Sequence, residues 1–459
     1  MEKITIREIL TATGGKLLSG TENMIINKIT TDSRQAEKGA LFIALKGDNF
    51  DGNDFAEKFL QGGEAVVVEK NISPVNGKSV ILVDDTKKAL SDIARYYRNK
   101  FNIPVVGVTG SVGKTSTKDM LASVLSQKFN TLKTQGNFNN EIGLPLTVFN
   151  LSKENEIAVL EMGMNNFREI SRLTHIAQPS IAVITNIGTA HIGNLGSQQN
   201  ILKAKLEILE KLTPNGIVVL NGDDKILYSL KGKLPHTVIY YGIDNLKADI
   251  VATNIILGAD KSKFKVKING KIYPFEVNVI GQHHIYNALA AIIVGLQQKV
   301  EIEKIIKGVA EFSSGSMRQS IVKLDGITLI EDCYNASAAS MEAALKVLSQ
   351  IGGANRTIAV LGDILEQGDY SEKAHREVGL AVAEFEINKL ITVGKDSKYI
   401  ASEAQKRGIT DILSFDNNKQ ATEYLIGEVK KYDTVLFKAS RGMKLEEISD
   451  KLKEMSRGV

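Results

Sequence analysis

Apolar positions along this chain follow two periods that take turns. Short continuous or β-branched apolar runs recur at residues 40–45, 103–110, 157–161, 181–187 and 217–220, and again at 357–361, 390–393 and 434–438. Between them lie stretches with helical spacing, among them 89–100 and 114–127. Runs this apolar read as strands buried on both faces, and the helical stretches read as crossovers. Parallel sheets covered by helices are therefore expected. Two segments depart from the pattern and read as antiparallel hairpins. One spans 264–280 and turns at Asn269-Gly270; the other turns at Asp325-Gly326. No internal repeat or low-complexity tract is present.

The run at 103–110 leads into GVTGSVGKTST (residues 107–117) and then into the helical stretch at 114–127. Strand, glycine loop, Lys-Thr and helix suit a nucleoside triphosphate. Glycines let backbone N–H groups turn toward phosphate oxygens, and the helix N-terminus adds partial positive charge. Gly110, Ser111, Gly113, Lys114, Thr115 and Ser116 are the candidate contacts. Lys114 would neutralise the β/γ-phosphates, and the Thr115 hydroxyl would bind Mg²⁺. The strict pattern asks for glycine where this chain has Val108; its glycines fall at 107, 110 and 113. A plain glycine turn with a solvated lysine is the competing reading.

At 459 residues the chain is too long for one ordinary core, which favours about three domains. Apolar content of 43% and charged content of 24% fit a globular protein. Lys+Arg 57 against Asp+Glu 53 leaves +4, which gives no sign of a nucleic-acid partner. The single cysteine, Cys333, excludes an intrachain disulfide and fits a reducing compartment. MEKITIREIL lacks the apolar core of a signal peptide, and no uncharged apolar run approaches the ~20 residues that span a bilayer. A cytoplasmic protein without membrane insertion is expected.

Ligands of parallel sheets sit at the carboxyl ends of strands, and polar residues collect there. Glu161 ends one run and Asn186 another, with His191 just beyond. Asp332, Asn335, Asp363, Lys438, Ser440 and Arg441 hold similar places in the last third, where no GxGxxG supports a dinucleotide site. A carboxylate and an imidazole beside ATP-bound Mg²⁺ could hold a second metal, although imidazole is an uncommon Mg²⁺ ligand. Taken singly, Glu161, Asn186 and His191 each read more readily as a cap or a core polar group. The segment 30–55 sets Ser33, Arg34, Lys46, Asp51 and Asn53 around a strand. Arginine there offers a planar fork to phosphate, unless the segment is merely a polar surface loop. His283, His284 and Asn287 open the helix in GQHHIYNALAAIIVGL, and a Ser/Gly linker at 313–318 marks a boundary.

Together these pieces resemble the Mur ligase family, the ATP-dependent amide-forming enzymes of peptidoglycan precursor synthesis. The likeness covers essentially the whole chain. It rests on DSR…GALFIALKG…DG, TGSVGKTST, TQGNFNNEIGLP, EMGM, TNIGTAHIGNLGS, GQHHIYNALAA, EDCYNASAASMEAAL, LGDILEQG and FKASRGMKLEE. The glycine spacing around Val108 is the family's own. The resemblance implies an α/β chain of three domains: a small α/β UDP-sugar substrate domain (1–84), a central parallel-sheet P-loop ATPase domain (85–312) and a C-terminal Rossmann-like doubly wound domain (313–459).

It implies roles as well. Ser33 and Arg34 would serve the UDP end of the sugar substrate, with Asp51 and Gly52 nearby; histidine is usual where this chain has Asn53. Lys114 and Thr115 would serve ATP and Mg²⁺, and Glu161 and His191 a second Mg²⁺. Asn287, Arg318, Asp332 and Asn335 would hold adenine, ribose and phosphate. Lys205 matches a lysine that is carbamylated in several members, where spacing alone reads as a helix-surface lysine. Cys333 stands where serine is common, and Ala336-Ser337-Ala338 where Ala-Asn-Pro is usual. Lys114, Lys205 and His191 would be the catalytic set. The blocks MEAAL, LGDILEQG and FKASRG favour the branch whose substrates are a UDP-N-acetylmuramoyl-tripeptide and D-alanyl-D-alanine. A monomer that closes about the 313–318 linker is expected. Another Mur-type or folylpolyglutamate-type ligase, a nucleotide-switch ATPase and a UDP-sugar-binding module are the alternatives.

Overall fold

The computed structural model describes residues 1–459 except Asp48, Ala259, Ser314, Ser316, Gly458 and Val459; Met455, Ser456 and Arg457 are described by backbone alone. Two residues of the expected linker, Ser314 and Ser316, thus lie outside the described ones. Among the described residues, no helix is long and apolar enough to cross a membrane.

Three sheets carry the architecture. In the central, nine-stranded one, Val105–Thr109 lies between Ile157–Glu161 and Ile181–Ile184, parallel to both. All five residues of Val105–Thr109 are buried, as expected of a strand covered on two faces. Ile217–Asn221, Thr237–Gly242 and Ile250–Leu257 extend the sheet in parallel. The hairpin Ser262–Ile268/Lys271–Val277 then adds two antiparallel edge strands. Its turn residues Asn269 (φ 49°) and Gly270 (φ 82°) are both left-handed, as a tight hairpin turn requires. The sheet is therefore mixed rather than wholly parallel.

The N-terminal sheet has five strands, and Ala40–Ile43 runs parallel to Lys28–Thr30 and Ala65–Val68. The C-terminal sheet has six, in the order Ser320–Leu324, Ile327–Glu331, Thr434–Lys438, Thr357–Gly362, Lys389–Val393 and Ile412–Phe415. All its neighbours pair in parallel except the first two, which form the hairpin turning at Asp325-Gly326.

The helix Thr86–Arg98 joins the first two sheets. It starts earlier than the apolar spacing from residue 89 indicates, because the Asp85 side chain caps it, accepting from the Lys88 N–H at 2.9 Å. Its Leu90, Ile93 and Tyr97 share one apolar cluster with Leu41, Ile43 and Val67 on one side and Val105, Leu144 and Ile170 on the other. Burial of each such side chain stabilises by about 1.5–3 kcal/mol, so this helix ties the two sheets together. A separate cluster fills the space beneath the C-terminal sheet, and Ile280, from just before the central helix Gln282–Gln297, packs into it.

Candidate nucleotide and ligation site

The phosphate loop is anchored from the neighbouring strand. The Asn186 side chain grips Val112 twice: its Oδ1 accepts from the Val112 N–H at 3.0 Å and its Nδ2 donates to the Val112 carbonyl at 2.9 Å. The Ser111 N–H donates to the Asn186 carbonyl at 3.1 Å, and the Thr185 hydroxyl to the Val112 carbonyl at 2.6 Å. Strand Ile181–Ile184 stops short of the expected residue 187, which releases Thr185 and Asn186 to make these contacts. Gly110 (φ 152°) passes so close that a Cβ would run into the Thr185 hydroxyl. That contact accounts for glycine there, whereas Val108 is simply a buried strand residue.

Helix Lys114–Leu125 starts at Gly113, which is left-handed at φ 83°. Its first N–H groups have no intrahelical acceptor, the arrangement that receives an anion. Thr115 is buried in that first turn, Ser116 is half-buried, and the Ser111 hydroxyl accepts from the Gly188 N–H at 2.9 Å. The Lys114 amine folds onto the carbonyls of Gly110 and Ser111 at 2.9 and 3.3 Å. Burial lowers its pKa; the charge of Glu161 opposes that fall, and the charge of Arg318 adds to it.

Glu161 ends its strand with 1% exposure. Asn139 donates to its Oε1 at 2.8 Å, while its Oε2 is buried without a hydrogen-bond partner among the described residues. An orphaned carboxylate oxygen is costly unless something cationic meets it. A divalent cation fits that atom. Among the described residues no cluster of three or more His, Cys, Asp or Glu could hold a metal. Hydroxyl, phosphate and water oxygens suit Mg²⁺ as further ligands.

His191 is left-handed at φ 61°, and its Nδ1 meets Oε2 of Glu366 at 2.8 Å. Burial lowers its pKa and so do the charges of Lys114 and Lys205, while Glu366 raises it. Lys205, on helix Gln198–Leu206, is no surface lysine: it is 1% exposed and makes no hydrogen bond or ion pair among the described residues. Burial holds its pKa well below the usual lysine range, and the charge of Lys114 adds to this.

The residues expected for the rest of the nucleotide occupy the seam between the central and C-terminal sheets. Asn287 is buried and accepts from the Thr117 hydroxyl at 2.9 Å, linking helix Gln282–Gln297 to the phosphate-loop helix. The Arg318 guanidinium lies 3.9 Å from the centroid of the Tyr334 ring. Asp332 accepts from Lys438 at 2.5 Å and from the Gln319 N–H at 3.3 Å. Asn335 is exposed and its Oδ1 accepts from the Ala336 N–H at 2.9 Å. Ser337 caps helix Ala338–Gly352, which explains a serine at that place. Cys333 is buried, its Sγ 3.4 Å from the Phe437 carbonyl, and burial pushes its thiol pKa up. Asp363 is a scaffold residue that accepts from the N–H groups of Ser397 and Lys395.

The N-terminal candidates form two groups. Arg34 is 87% exposed and forks onto Asp32, Nε to Oδ1 and Nη2 to Oδ2, both at 2.8 Å; that fork pushes the Asp32 pKa down to about 2. Ser33 beside it is half-buried. Asp51 accepts from Lys70 at 2.7 Å and from the Asn53 backbone and side chain, while Asn53 Oδ1 accepts from the Glu69 N–H at 2.8 Å. Asn53 is thus a buried brace. Gly52 donates to the Leu45 carbonyl at 2.9 Å. Among the described residues, no hydrogen bond or ion pair joins the two groups.

Four residues that the sequence left without a role prove important: Asn139, Glu366, Tyr334 and Gln319. Asn139, Glu366 and Tyr334 lie inside motifs already quoted, TQGNFNNEIGLP, LGDILEQG and EDCYNASAASMEAAL, and Gln319 directly follows the 313–318 linker.

A phosphate loop, an unpartnered carboxylate oxygen and a buried lysine, with the C-terminal domain reaching in through Glu366, make a candidate nucleotide site. Family models match along the chain: Mur ligase family, catalytic domain at residues 25–98; Mur ligase middle domain at 108–295; and Mur ligase, glutamate ligase domain at 317–441. The chain belongs to the Mur ligase family. It is 39% identical to the UDP-N-acetylmuramoyl-tripeptide–D-alanyl-D-alanine ligase of Bacillus subtilis over 456 residues, 98% of each chain. The crystal structure of MurF from Acinetobacter baumannii superposes with a TM-score of 0.92 at 32% identity, covering 99% of both chains. That of the MurF ligase from Thermotoga maritima in complex with ADP gives 0.83 at 27% identity, covering 94% of this chain and 98% of that one.

Proposed function

We propose that this chain is an ATP-dependent ligase that joins D-alanyl-D-alanine to UDP-N-acetylmuramoyl-tripeptide, with release of ADP and phosphate. Full-length likeness to the B. subtilis ligase supports the substrates. The observation that carries the chemistry is the buried Glu161 carboxylate, whose Oε2 has no hydrogen-bond partner among the described residues, on the strand that pairs with the one leading into the phosphate loop.

A peptide carboxylate is a poor acyl donor. In the reading proposed here its oxygen attacks the γ-phosphorus of ATP and ADP leaves, giving an acyl phosphate. The dipeptide amine then attacks the carbonyl carbon, phosphate departs with the C–O bonding pair, and the amine loses a proton. Lys114, held at the loop by burial and geometry, offsets charge on the transferring phosphoryl group. Gly110, Ser111, Gly113 and Ser116 shape the phosphate cradle. Asn287, Arg318, Asp332 and Asn335 hold the nucleoside, with Tyr334 as the plate beneath the Arg318 guanidinium. Ser33, Arg34, Asp51 and Gly52 serve the UDP end.

A bound Mg²⁺ supplies charge neutralisation on phosphate oxygens. Thr115 would hold the Mg²⁺ that accompanies ATP, and Glu161, His191 and a carbamate on Lys205 would hold a second one. An amine is carbamylated only when neutral, adding to CO₂ with loss of a proton, and burial shifts the Lys205 pKa well down from the usual lysine range, toward that form. We further infer three domains (1–84, 85–312 and 313–459) working as a cytoplasmic monomer without a nucleic-acid partner.

The test incubates purified protein with ATP, Mg²⁺, the tripeptide substrate and D-alanyl-D-alanine, and follows product mass and phosphate release. Phosphate release should require both substrates, and Lys114→Ala should slow it at least a hundredfold, about 3 kcal/mol. Amine-independent ATP turnover would favour the nucleotide-switch reading, and Lys114→Ala turnover within tenfold of the parent would refute the loop assignment.

A further inference from the structure

The contact between His191 and Glu366 crosses from the central sheet to the C-terminal one. His191 follows strand Ile181–Ile184, whereas Glu366 follows Thr357–Gly362. Both residues are left-handed, at φ 61° and φ 63°. Non-glycine residues hold that conformation at a cost, and such strain gathers where a side chain must be aimed. The backbones also meet. A Cβ on Gly193 would lie 2.9 Å from the Glu366 carbonyl oxygen and 2.9 Å from the Gly368 nitrogen, so glycine is what admits the approach. The Glu366 loop is braced behind, where the Leu365 N–H donates to the Ser440 hydroxyl and the Ile364 N–H to His375 Nε2, both at 2.9 Å.

We propose that Glu366 is a positioning residue for ligation, one that fixes the His191 ring only when the C-terminal domain is seated. The inference rests on the reading of His191 as a cation ligand. A carboxylate only accepts, so its contact at Nδ1 places the imidazole proton on that nitrogen and leaves the Nε2 lone pair free. A carboxylate that aims a metal-binding imidazole in this way fixes both its tautomer and its tilt. Here that carboxylate arrives from the C-terminal domain, across its contact with the central one. Closure and assembly of the cation site become one event, so ATP is not committed while that domain is away.

The variants are Glu366→Ala, Glu366→Gln (which keeps an acceptor oxygen at the same reach) and Gly193→Val, which blocks the backbone approach. Glu366→Ala should raise the Mg²⁺ concentration for half-maximal turnover and lower kcat, together about 10–100-fold. Its KM for the UDP substrate should stay within twofold, and Glu366→Gln should recover most of the loss. Gly193→Val should mimic Glu366→Ala, and combining the two should add little. A readout independent of turnover is ¹⁵N NMR of His191 in metal-free protein: the parent should carry its proton on Nδ1, and Glu366→Ala should shift it toward Nε2. If Glu366→Ala keeps the parental Mg²⁺ dependence and tautomer while His191→Ala is inactive, the positioning role is overturned and the ligand reading stands. If His191→Ala is itself fully active, the reading beneath it fails.

Discussion

Asn186 and Val112 are joined by two opposed hydrogen bonds, the Val112 N–H into Oδ1 at 3.0 Å and Nδ2 into the Val112 carbonyl at 2.9 Å. The loop that receives phosphate is thus held in shape from the adjacent strand. Replacing Asn186 by alanine removes both bonds, each worth about 0.5–1.5 kcal/mol, and should weaken nucleotide binding roughly tenfold. Asn186→Asp keeps the acceptor but loses the donor and brings negative charge to the loop, so it should bind still more weakly. Titration of ATP and ADP against each variant checks this. Parental affinity in Asn186→Ala would mean the loop holds its shape without the clamp.

Arg34 is the candidate anchor for the UDP end, yet in the structure its fork is taken by Asp32. An exposed pair of this kind stabilises by at most about 1 kcal/mol, and a diphosphate can compete for the guanidinium. Arg34→Ala should weaken UDP-substrate binding by about 10–100-fold, the range for a lost charged hydrogen bond, and leave ATP binding unchanged. Asp32→Asn, which frees the fork, should keep the affinity within a few-fold. Separate calorimetric titrations decide it; equal losses of both ligands in Arg34→Ala would point to a folding defect.

The order of apolar runs was enough to place the strands that line the phosphate loop, since a strand buried on both faces leaves little room for polar residues. It missed Thr237–Gly242, Ile250–Leu257 and Ile412–Phe415, whose faces are partly exposed and whose sequences mix in polar residues. It also missed the partners that define the chemistry. Asn139 meets Glu161 across 22 residues and Glu366 meets His191 across 175, distances over which local periodicity carries no information. Lys205 shows the same gap: its helix spacing is ordinary, and only the packed structure reveals that the residue is 1% exposed.

Asp223 ties the end of strand Ile217–Asn221 to the helix that carries Asn287. It accepts from the N–H groups of Ile243, Asp244 and Asn245 and from the Tyr286 hydroxyl at 2.8 Å. Burial alone would raise its pKa, but these donors outweigh it and the net direction is down. With the native pKa below that of the unfolded chain, this carboxylate stabilises the fold above about pH 4 and loses that effect as pH falls through the native value. Asp223→Asn should therefore melt lower than the parent near neutrality, with the gap narrowing on the acid side. Melting temperatures of both proteins across the acid range test this; a gap that widens as pH falls would contradict the sign.

Lys205 carries the sharpest prediction. Its side chain is buried, its pKa is held far below normal, and the Lys114 ammonium lies within electrostatic reach. A bare ammonium there would repel both Lys114 and any divalent cation, whereas a carbamate reverses the sign of the charge. Lys205→Ala should lose activity, and a short carboxylate such as formate or acetate should restore part of it by occupying the vacated ligand position. Lys205→Arg should stay inactive and unrescued, because guanidinium keeps its charge and forms no such adduct. Glu161→Gln, which neutralises the carboxylate whose Oε2 is orphaned, should raise the Mg²⁺ requirement without affecting rescue at 205. The direct measurement is ¹³C NMR after exchange with labelled bicarbonate, which should give one carbamate resonance in the parent and none in Lys205→Ala. Parental turnover in Lys205→Arg, or a carbamate signal that survives Lys205→Ala, would remove the modified lysine from the mechanism.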